Sequence, residues 1–371
     1  MHKEDVGIGS SKSKVVQLKS KCGYIEAGLG KKTLVNSLIG FNLKNEYEYE
    51  YELEKLGSIN NLVEKPDIIT DLSTIKICKT DALWYKVANE THCIAATLPA
   101  YLVKTQNNII GVNELLEIII EQMENGVGLI TIHPTANKEI FDESRKRMVP
   151  ITSRGGGIVI KDLIAKEFKD ENVYLKILPQ IISHARKHGV VLSIGTTFRS
   201  GNIFDSNDKA QGMEIELQIS LAKEISQYDV GVIIESPGHA RPRDIKEISR
   251  ILRRTGFTVM PLGPIPTDAA AGMDHVASVI GATIMGLKGC AHILAAVTRE
   301  EHTGGRPTIE STIEAIKAAR IAAHIIDIHN NNDTVIDMEI AQSRAKSNTC
   351  VFGKDTEYCD RCKELCPLMI R

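Results

Sequence analysis

Long apolar runs are missing from this sequence: nowhere do about eighteen apolar residues follow one another, which leaves no span for a transmembrane helix. The opening stretch MHKEDVGIGSSKSK is too polar for the core of a signal peptide, so a soluble, cytoplasmic protein with no membrane partner is expected. Excess charge of one sign is missing too. A formal net charge of -2 and a pI near 6.6 give no field that would draw the chain to nucleic acid, so none is expected as a partner and any anion needs a local site. A disulfide framework is equally absent. Of eight cysteines, Cys22, Cys78, Cys93, Cys290 and Cys350 stand singly and only three cluster, which suits a reducing compartment and one ligand set. No fixed-period internal repeat is visible, and low-complexity sequence is limited to a Tyr/Glu run at 46–56.

What is present is a chain of 371 residues with 43% hydrophobic content, enough to bury one large core. From residue 66 onward, short Ile/Val-rich runs alternate with segments of helical period, the pattern of repeated βα units. Candidate strands fall at 67–72, 92–97, 128–132, a short one near Ile151, 190–194, 230–234, 258–262 and 292–297, eight in all. Helices fit between them at 115–125, 175–188, 209–227 and 243–254, and a last long one spans 309–329. Eight units over roughly 230 residues match a (β/α)8 TIM-like barrel. The runner-up, a doubly wound open sheet, is weakened because no G-x-G-x-x-G opens the first helix. The expected division is an N-terminal region at 1–65, a catalytic barrel at 66–330 and a C-terminal helical arm at 331–371. The run EYEYEYELEKL at 46–56 alternates like a strand, but Tyr47, Tyr51 and Lys55 also share one helical face, and it is read as helix.

The arm ends in C-D-R-C-K-E-L-C-P, placing Cys359, Cys362 and Cys366 within eight residues. Three thiolates leave one metal position unfilled by protein, which suits a [4Fe-4S] cluster with one iron open to an outside ligand. Zinc would want a fourth ligand; the arm has no histidine, though Cys350 is available, so zinc and unligated thiols stay open as alternatives.

Barrel enzymes gather reactive groups at the C-terminal ends of their strands. Here those exits carry His133, Ser153 with Arg154, Arg199, Glu235 with His239, and the group Glu300, Glu301 and His302. S-R-G-G-G at 153–157 combines a hydroxyl, a guanidinium and a flexible backbone able to aim amides at an anion, as in phosphate binding; a solvated glycine-rich turn is the plain alternative. In E-S-P-G-H, Pro237 and Gly238 predict a turn that brings Glu235 and His239 over the mouth. His302, 63 residues beyond His239, is placed to face it across a closed barrel, where two histidines suffice for a mononuclear metal or serve structural hydrogen bonds. The Pro/Gly-rich stretch at 261–275 reads as a rigid substrate wall, with Thr267 and Asp268 capping a helix that begins near Met273.

In order, V-N-S-L-I-G (35–40), D-L-S-T (71–74), T-L-P-A-Y (97–101), T-I-H (131–133), S-R-G-G (153–156), S-I-G-x-x-x-R (193–199), E-S-P-G-H (235–239), L-G-P-x-x-T-D (262–268), D-H (274–275), E-H-x-G (301–304), I-A-A-H (321–324) and the cysteine triad carry a likeness over residues 33–371. The chain resembles the phosphomethylpyrimidine synthase (ThiC) family, radical enzymes that make the thiamine pyrimidine from 5-aminoimidazole ribonucleotide. The resemblance implies a (β/α)8 barrel and S-adenosylmethionine as co-substrate. It also implies a homodimer in which the cluster arm reaches the partner's site, and a reductant protein such as flavodoxin or ferredoxin. By position, substrate contacts fall on Tyr101, His133, Ser153, Arg154, Gly155, Arg199 and Glu235. Of these, His133, Arg199 and Glu235 carry the catalytic work. The mononuclear divalent metal, zinc or iron, falls on His239 and His302.

The expected reaction converts that phosphorylated ribonucleotide to hydroxymethylpyrimidine phosphate by way of a radical derived from S-adenosylmethionine. Where the family usually carries Asn, Met, Asp and Tyr, however, this chain has Leu38, Thr70, Thr196 and Met260, and its N-terminal region is short. Losing polar groups that orient a substrate is what changes discrimination. The related 5-hydroxybenzimidazole synthase, acting on the same nucleotide, is therefore the first alternative. A zinc-dependent barrel hydrolase and a non-catalytic nucleotide-binding paralogue are the others.

Overall fold

The computed structural model describes residues 14–42, 46–350 and 361–369. An antiparallel pair comes first, β1 (Val16–Ser20) and β2 (Gly23–Ala27). Eight parallel strands follow: β3 (Leu34–Ile39), β4 (Ile68–Asp71), β5 (Ile94–Thr97), β6 (Leu129–Ile132), β7 (Val191–Ile194), β8 (Val232–His239), β9 (Thr258–Ile265) and β10 (Ile293–Ala296). Their spatial order is β10-β3-β4-β5-β6-β7-β8-β9. The two ends of that series meet: the His292 amide donates to the Val259 carbonyl at 3.0 Å, and the Val259 amide donates to His292 Nδ1 at 2.9 Å. Burial pushes the His292 pKa down to about 4, so the ring is neutral and its Nδ1 lone pair is free to accept that bond. With helices around the sheet, this is the expected (β/α)8 TIM-like barrel.

Seven of the eight sequence-derived strands form, and the run at 46–56 is helical, inside Glu46–Asn60. The strand near Ile151 does not form; residues 151–153 are an irregular lead into a helix whose N-cap is Ser153. The missing strand is β3, which pairs with β4 and β10 and so brings part of 1–65 into the barrel sheet. Its sequence L-V-N-S-L-I interrupts the apolar run with Asn36 and Ser37, which makes its strand pattern weak. The arm's described part begins as a helix at Val335–Ser347; Cys359 lies outside the described residues.

Alternate residues of a barrel strand face inward. The first inward layer is apolar: Leu34, Ile68, Ile94, Leu129, Val191, Ile233 and Ile293 form one cluster with Met260. The β1–β2 hairpin stoppers that end of the barrel, adding Val16, fully buried Leu18 and Ala27 to the same cluster. The chain's approach there is close enough that a Cβ at Gly128 would sit 2.2 Å from the Lys19 carbonyl oxygen. Two residues further along, the inward positions of five strands become polar, at Asn36, Thr70, Thr131, Ser193 and Glu235, while Ala96, Met260 and Ala295 keep the other three apolar. The same period of two therefore gives a sealed floor at one end and a chemical surface at the other.

Gly128→Ala is expected to lower stability by about 1–3 kcal/mol, the cost of forcing atoms into a filled space. A lower urea midpoint at unchanged slope would show it, and an unchanged midpoint would mean that the hairpin does not plug the barrel.

Candidate active site

A pocket of about 250 Å3 opens at the C-terminal ends of the strands. Tyr101, His133, Ser153, Arg154, Arg199, Glu235, His239 and His302 all line it, although they come from six different strand exits or loops. Gly155 does not line it but packs directly behind: a Cβ there would lie 2.3 Å from His133 Cε1. Three of the four positions that depart from the family pattern, Leu38, Thr70 and Met260, also line the pocket.

Glu235 is buried at the inward face of β8. Its carboxylate accepts from the Thr196 amide at 3.2 Å and, more loosely, from the hydroxyls of Thr131 and Ser193, both at 3.4 Å. Burial raises its pKa above the ordinary glutamate value, with the Arg199 guanidinium pulling the other way. A carboxyl so placed holds a proton more readily than an exposed glutamate does. Thr196, the fourth departing position, thus supports Glu235 instead of lining the pocket. The loop that carries it is fixed by Glu214, a residue that sequence reasoning missed. That side chain accepts from the amides of Thr197 at 2.6 Å and Phe198 at 2.8 Å and from Thr135 Oγ1 at 2.7 Å.

His133 leaves β6 into a buried slot between Gly155 and Gly195, each of which must lack a side chain for the ring to fit. Burial, with Arg199 nearby, drives its pKa down to about 3, and its Nδ1 has no hydrogen-bond partner. The ring is neutral, with one nitrogen in reserve.

Residues 153–157 are not the flexible loop that three glycines predict. They are the cap and first turn of a helix, Arg154–Ala165, in which Ser153 Oγ accepts from the Gly156 amide at 3.1 Å. Close packing requires glycine there, since a Cβ at Gly156 would lie 2.5 Å from Thr197 Cα. The result is a helix N-terminus at the pocket wall, with Arg154 set 5.3 Å over the Tyr101 ring. The free first-turn amides, the helix dipole and the guanidinium are together a chemistry that suits an anion.

E-S-P-G-H also departs from expectation. Its Pro237 and Gly238 do not end the strand in a turn; β8 continues through His239 with a register shift between Pro237 and His239. Pairing with the equally extended β9 carries it outward, and the Ser200–Gly238 bridge supports the other edge. This places His239 Nε2 3.1 Å from His302 Nε2. Each ring is held from behind: His239 Nδ1 lies 2.6 Å from Asp268, and His302 Nδ1 lies 2.6 Å from Asp274. A proton on each Nδ1, donated to its carboxylate, leaves two Nε2 lone pairs facing each other. That donor set fits a divalent cation. Asp268 and Asp274 fell within motifs of the sequence, but nothing there gave them this role. Asp268 does not cap a helix near Met273; Thr267 caps the short turn Asp268–Ala270, and the helix Asp274–Gly286 starts without a side-chain cap.

Barrel, mouth pocket and converging titratable groups define a (β/α)8-barrel enzyme. The chain belongs to the radical SAM ThiC family, whose model matches residues 11–369, and is thus a radical SAM enzyme, a class that uses S-adenosylmethionine and an iron–sulfur cluster. The phosphomethylpyrimidine synthase of Syntrophus aciditrophicus (strain SB) is 30% identical over 356 residues, covering 92% of this chain and 81% of that one. The phosphomethylpyrimidine synthase of Pyrococcus furiosus is 28% identical over 380 residues, covering 93% and 85%.

An unfolded histidine takes up a proton below about pH 6.5, whereas His133 resists protonation until about pH 3 in the folded chain. The unfolded state therefore binds more protons in this window. The His133 contribution is complete above pH 6.5 and is lost as pH falls toward 3, at about 1.4 kcal/mol per pH unit. Urea unfolding at pH 7 and pH 5 should show a smaller acid loss in His133→Asn than in the parent; equal losses would mean that the ring is not held neutral.

Proposed function

We propose that this enzyme converts 5-aminoimidazole ribonucleotide to hydroxymethylpyrimidine phosphate in thiamine biosynthesis, in the cytoplasm. The observation that carries the reading is the convergence of Tyr101, His133, Ser153, Arg154, Arg199 and Glu235 on one pocket that also holds the His239–His302 pair. Arg154 and the helix N-terminus behind it bind the phosphate, and the Tyr101 ring keeps the guanidinium in place. Arg199 and neutral His133 position the ribose and imidazole, while Glu235 holds or moves a proton at its buried carboxyl. His239 and His302 would hold zinc or iron, which when bound would neutralise an anionic group of the nucleotide or of S-adenosylmethionine. Cys359, Cys362 and Cys366 would hold the [4Fe-4S] cluster, which when bound would supply the electron for cleaving S-adenosylmethionine. Of these, Cys362 is half-buried and Cys366 buried.

A flavodoxin- or ferredoxin-type protein is the reductant, and the working unit is a homodimer. Exposed Ile321, Ile325, Val335, Ile336 and Met338 on the last two long helices support an apolar surface for the second copy. Among the described residues no helix is long and apolar enough to cross a membrane.

The pocket floor favours one other outcome of the same chemistry. Thr70 Oγ1 donates to Asn36 Oδ1 at 2.8 Å, and Asn36 Nδ2 lies 3.8 Å from Met260 Sδ, so two departing positions orient Asn36 where it lines the pocket. A changed floor fits rearrangement of the same nucleotide to 5-hydroxybenzimidazole.

Anaerobic turnover of the reconstituted enzyme with 5-aminoimidazole ribonucleotide, S-adenosylmethionine and a reductant, followed by mass analysis, is expected to yield hydroxymethylpyrimidine phosphate. Hydroxybenzimidazole, or no conversion, would refute the assignment. Asp268→Asn and Asp274→Asn are each expected to weaken the mouth metal by about 10- to 100-fold, because each loses the carboxylate that orients its histidine. Equilibrium dialysis against zinc measures this, and unchanged affinity in both would remove His239 and His302 as ligands.

A further inference from the structure

At the opposite end of the barrel from the pocket, the helices Val112–Glu124 and Leu178–His188 pack together and end side by side. His184 and His188 are four residues apart on the second helix, a spacing that puts both rings on one face. The rings lie nearly parallel, 7° apart, with centroids separated by 6.2 Å. Glu124, the last residue of the first helix, joins them: one ligand atom from each of the three side chains can be chosen so that all lie within 4.8 Å of one another. Among the described residues no other trio of histidine, cysteine or carboxylate side chains meets that condition.

Two nitrogens in this cluster lack an obvious role. His184 Nδ1 and His188 Nε2 are shielded from solvent and have no hydrogen-bond partner. Buried unpartnered polar atoms are costly, and a ligand is one way to satisfy them. The surroundings suit a cation in another way. Gly189, in the left-handed region at φ 67°, ends the second helix directly after His188, so unpaired carbonyls and the negative end of the helix dipole lie beside the cluster. The charges of Lys187 and Lys19 near His188 oppose a cation there, whereas that of Glu124 favours one.

The geometry points to a second metal site, in which Glu124, His184 and His188 bind a divalent transition metal of the zinc class with water completing the shell. Two imidazoles and a carboxylate are a donor set that zinc accepts. A tetrahedral ion with bonds of about 2.1 Å draws its ligands to about 3.4 Å from one another, a contraction that side-chain rotation can supply. The bound ion pins the ends of two helices just before they feed β6 and β7, the strands that carry Thr131, His133 and Ser193. Its role is to brace the barrel at the end remote from the chemistry.

The test uses the full-length chain, purified without a polyhistidine tag and loaded anaerobically with iron and sulfide. It is titrated with Zn(II) against a chromophoric chelator and, separately, with Co(II) as a spectroscopic probe. His184→Gln/His188→Gln is expected to bind one zinc fewer per chain than the parent and to show a weaker visible band of tetrahedral cobalt bound by nitrogen and oxygen. His239→Gln/His302→Gln, which removes only the ligands proposed at the mouth, is expected to retain the zinc and the part of the cobalt band that the His184/His188 variant loses. Glu124→Gln, a change at an exposed side chain that leaves folding intact, is expected to weaken zinc by on the order of 10-fold or more. Unchanged stoichiometry and affinity in the His184/His188 variant would overturn the site. If that variant fails to fold, unchanged affinity in Glu124→Gln overturns it instead. Because the readout is metal bound and not product formed, failure of the proposed synthase reaction would leave the result standing.

Discussion

A sheet of eight parallel strands leaves two rows of unpaired amides and carbonyls unless its ends meet, and here they meet through His292 and Val259. One backbone bond and one bond to a neutral imidazole hold this seam, whereas regular strand pairing joins every other neighbour in the barrel. The mouth depends on that closure. His239 leaves β8 and His302 follows β10, and they stand 3.1 Å apart only because the sheet has come round. The hairpin β1–β2 packs against the arrangement from below, adding Val16 and Leu18 to the apolar layer of the interior.

Within that frame, chemistry is distributed by parity. Inward positions on successive turns of the pleat pass from Leu129 to Thr131 to His133, and from Ile233 to Glu235. The apolar layer desolvates the polar layer above it, and this is the physical reason why Glu235 is pushed up while His133 is pushed down. The shifts are opposite in sign because burial disfavours the charged form of each group, the carboxylate of one and the imidazolium of the other. Arg199 faces both and limits the first shift while enlarging the second.

Much of the site was legible in the sequence because a barrel places function where its strands end. Once the strands at 128–132, 190–194 and 230–234 were marked, His133, Arg199 and Glu235 followed from position alone. Other parts were hidden for definite reasons. β3 was obscured by Asn36 and Ser37, which look like loop residues until the interior is known to be polar at that level. Glu214 sits mid-helix, and only the packing of that helix under residues 196–198 reveals its carboxylate as the anchor of the loop. The triple glycine reads as slack backbone, yet His133 and Thr197 leave no room for side chains at Gly155 and Gly156, and a helix forms.

The sequence by itself determined the alternation of strands and helices, the family and the chemical types gathered at the strand exits, because these depend on local pattern and on residue identity. Tertiary structure alone decided which carboxylate serves which group. Asp268 stands behind His239, Asp274 behind His302, and Glu214 beneath Thr197 and Phe198. Those pairings span 29, 28 and 17 residues for Asp268, Asp274 and the Thr197 contact of Glu214. They arise from closure and packing, to which no local period corresponds.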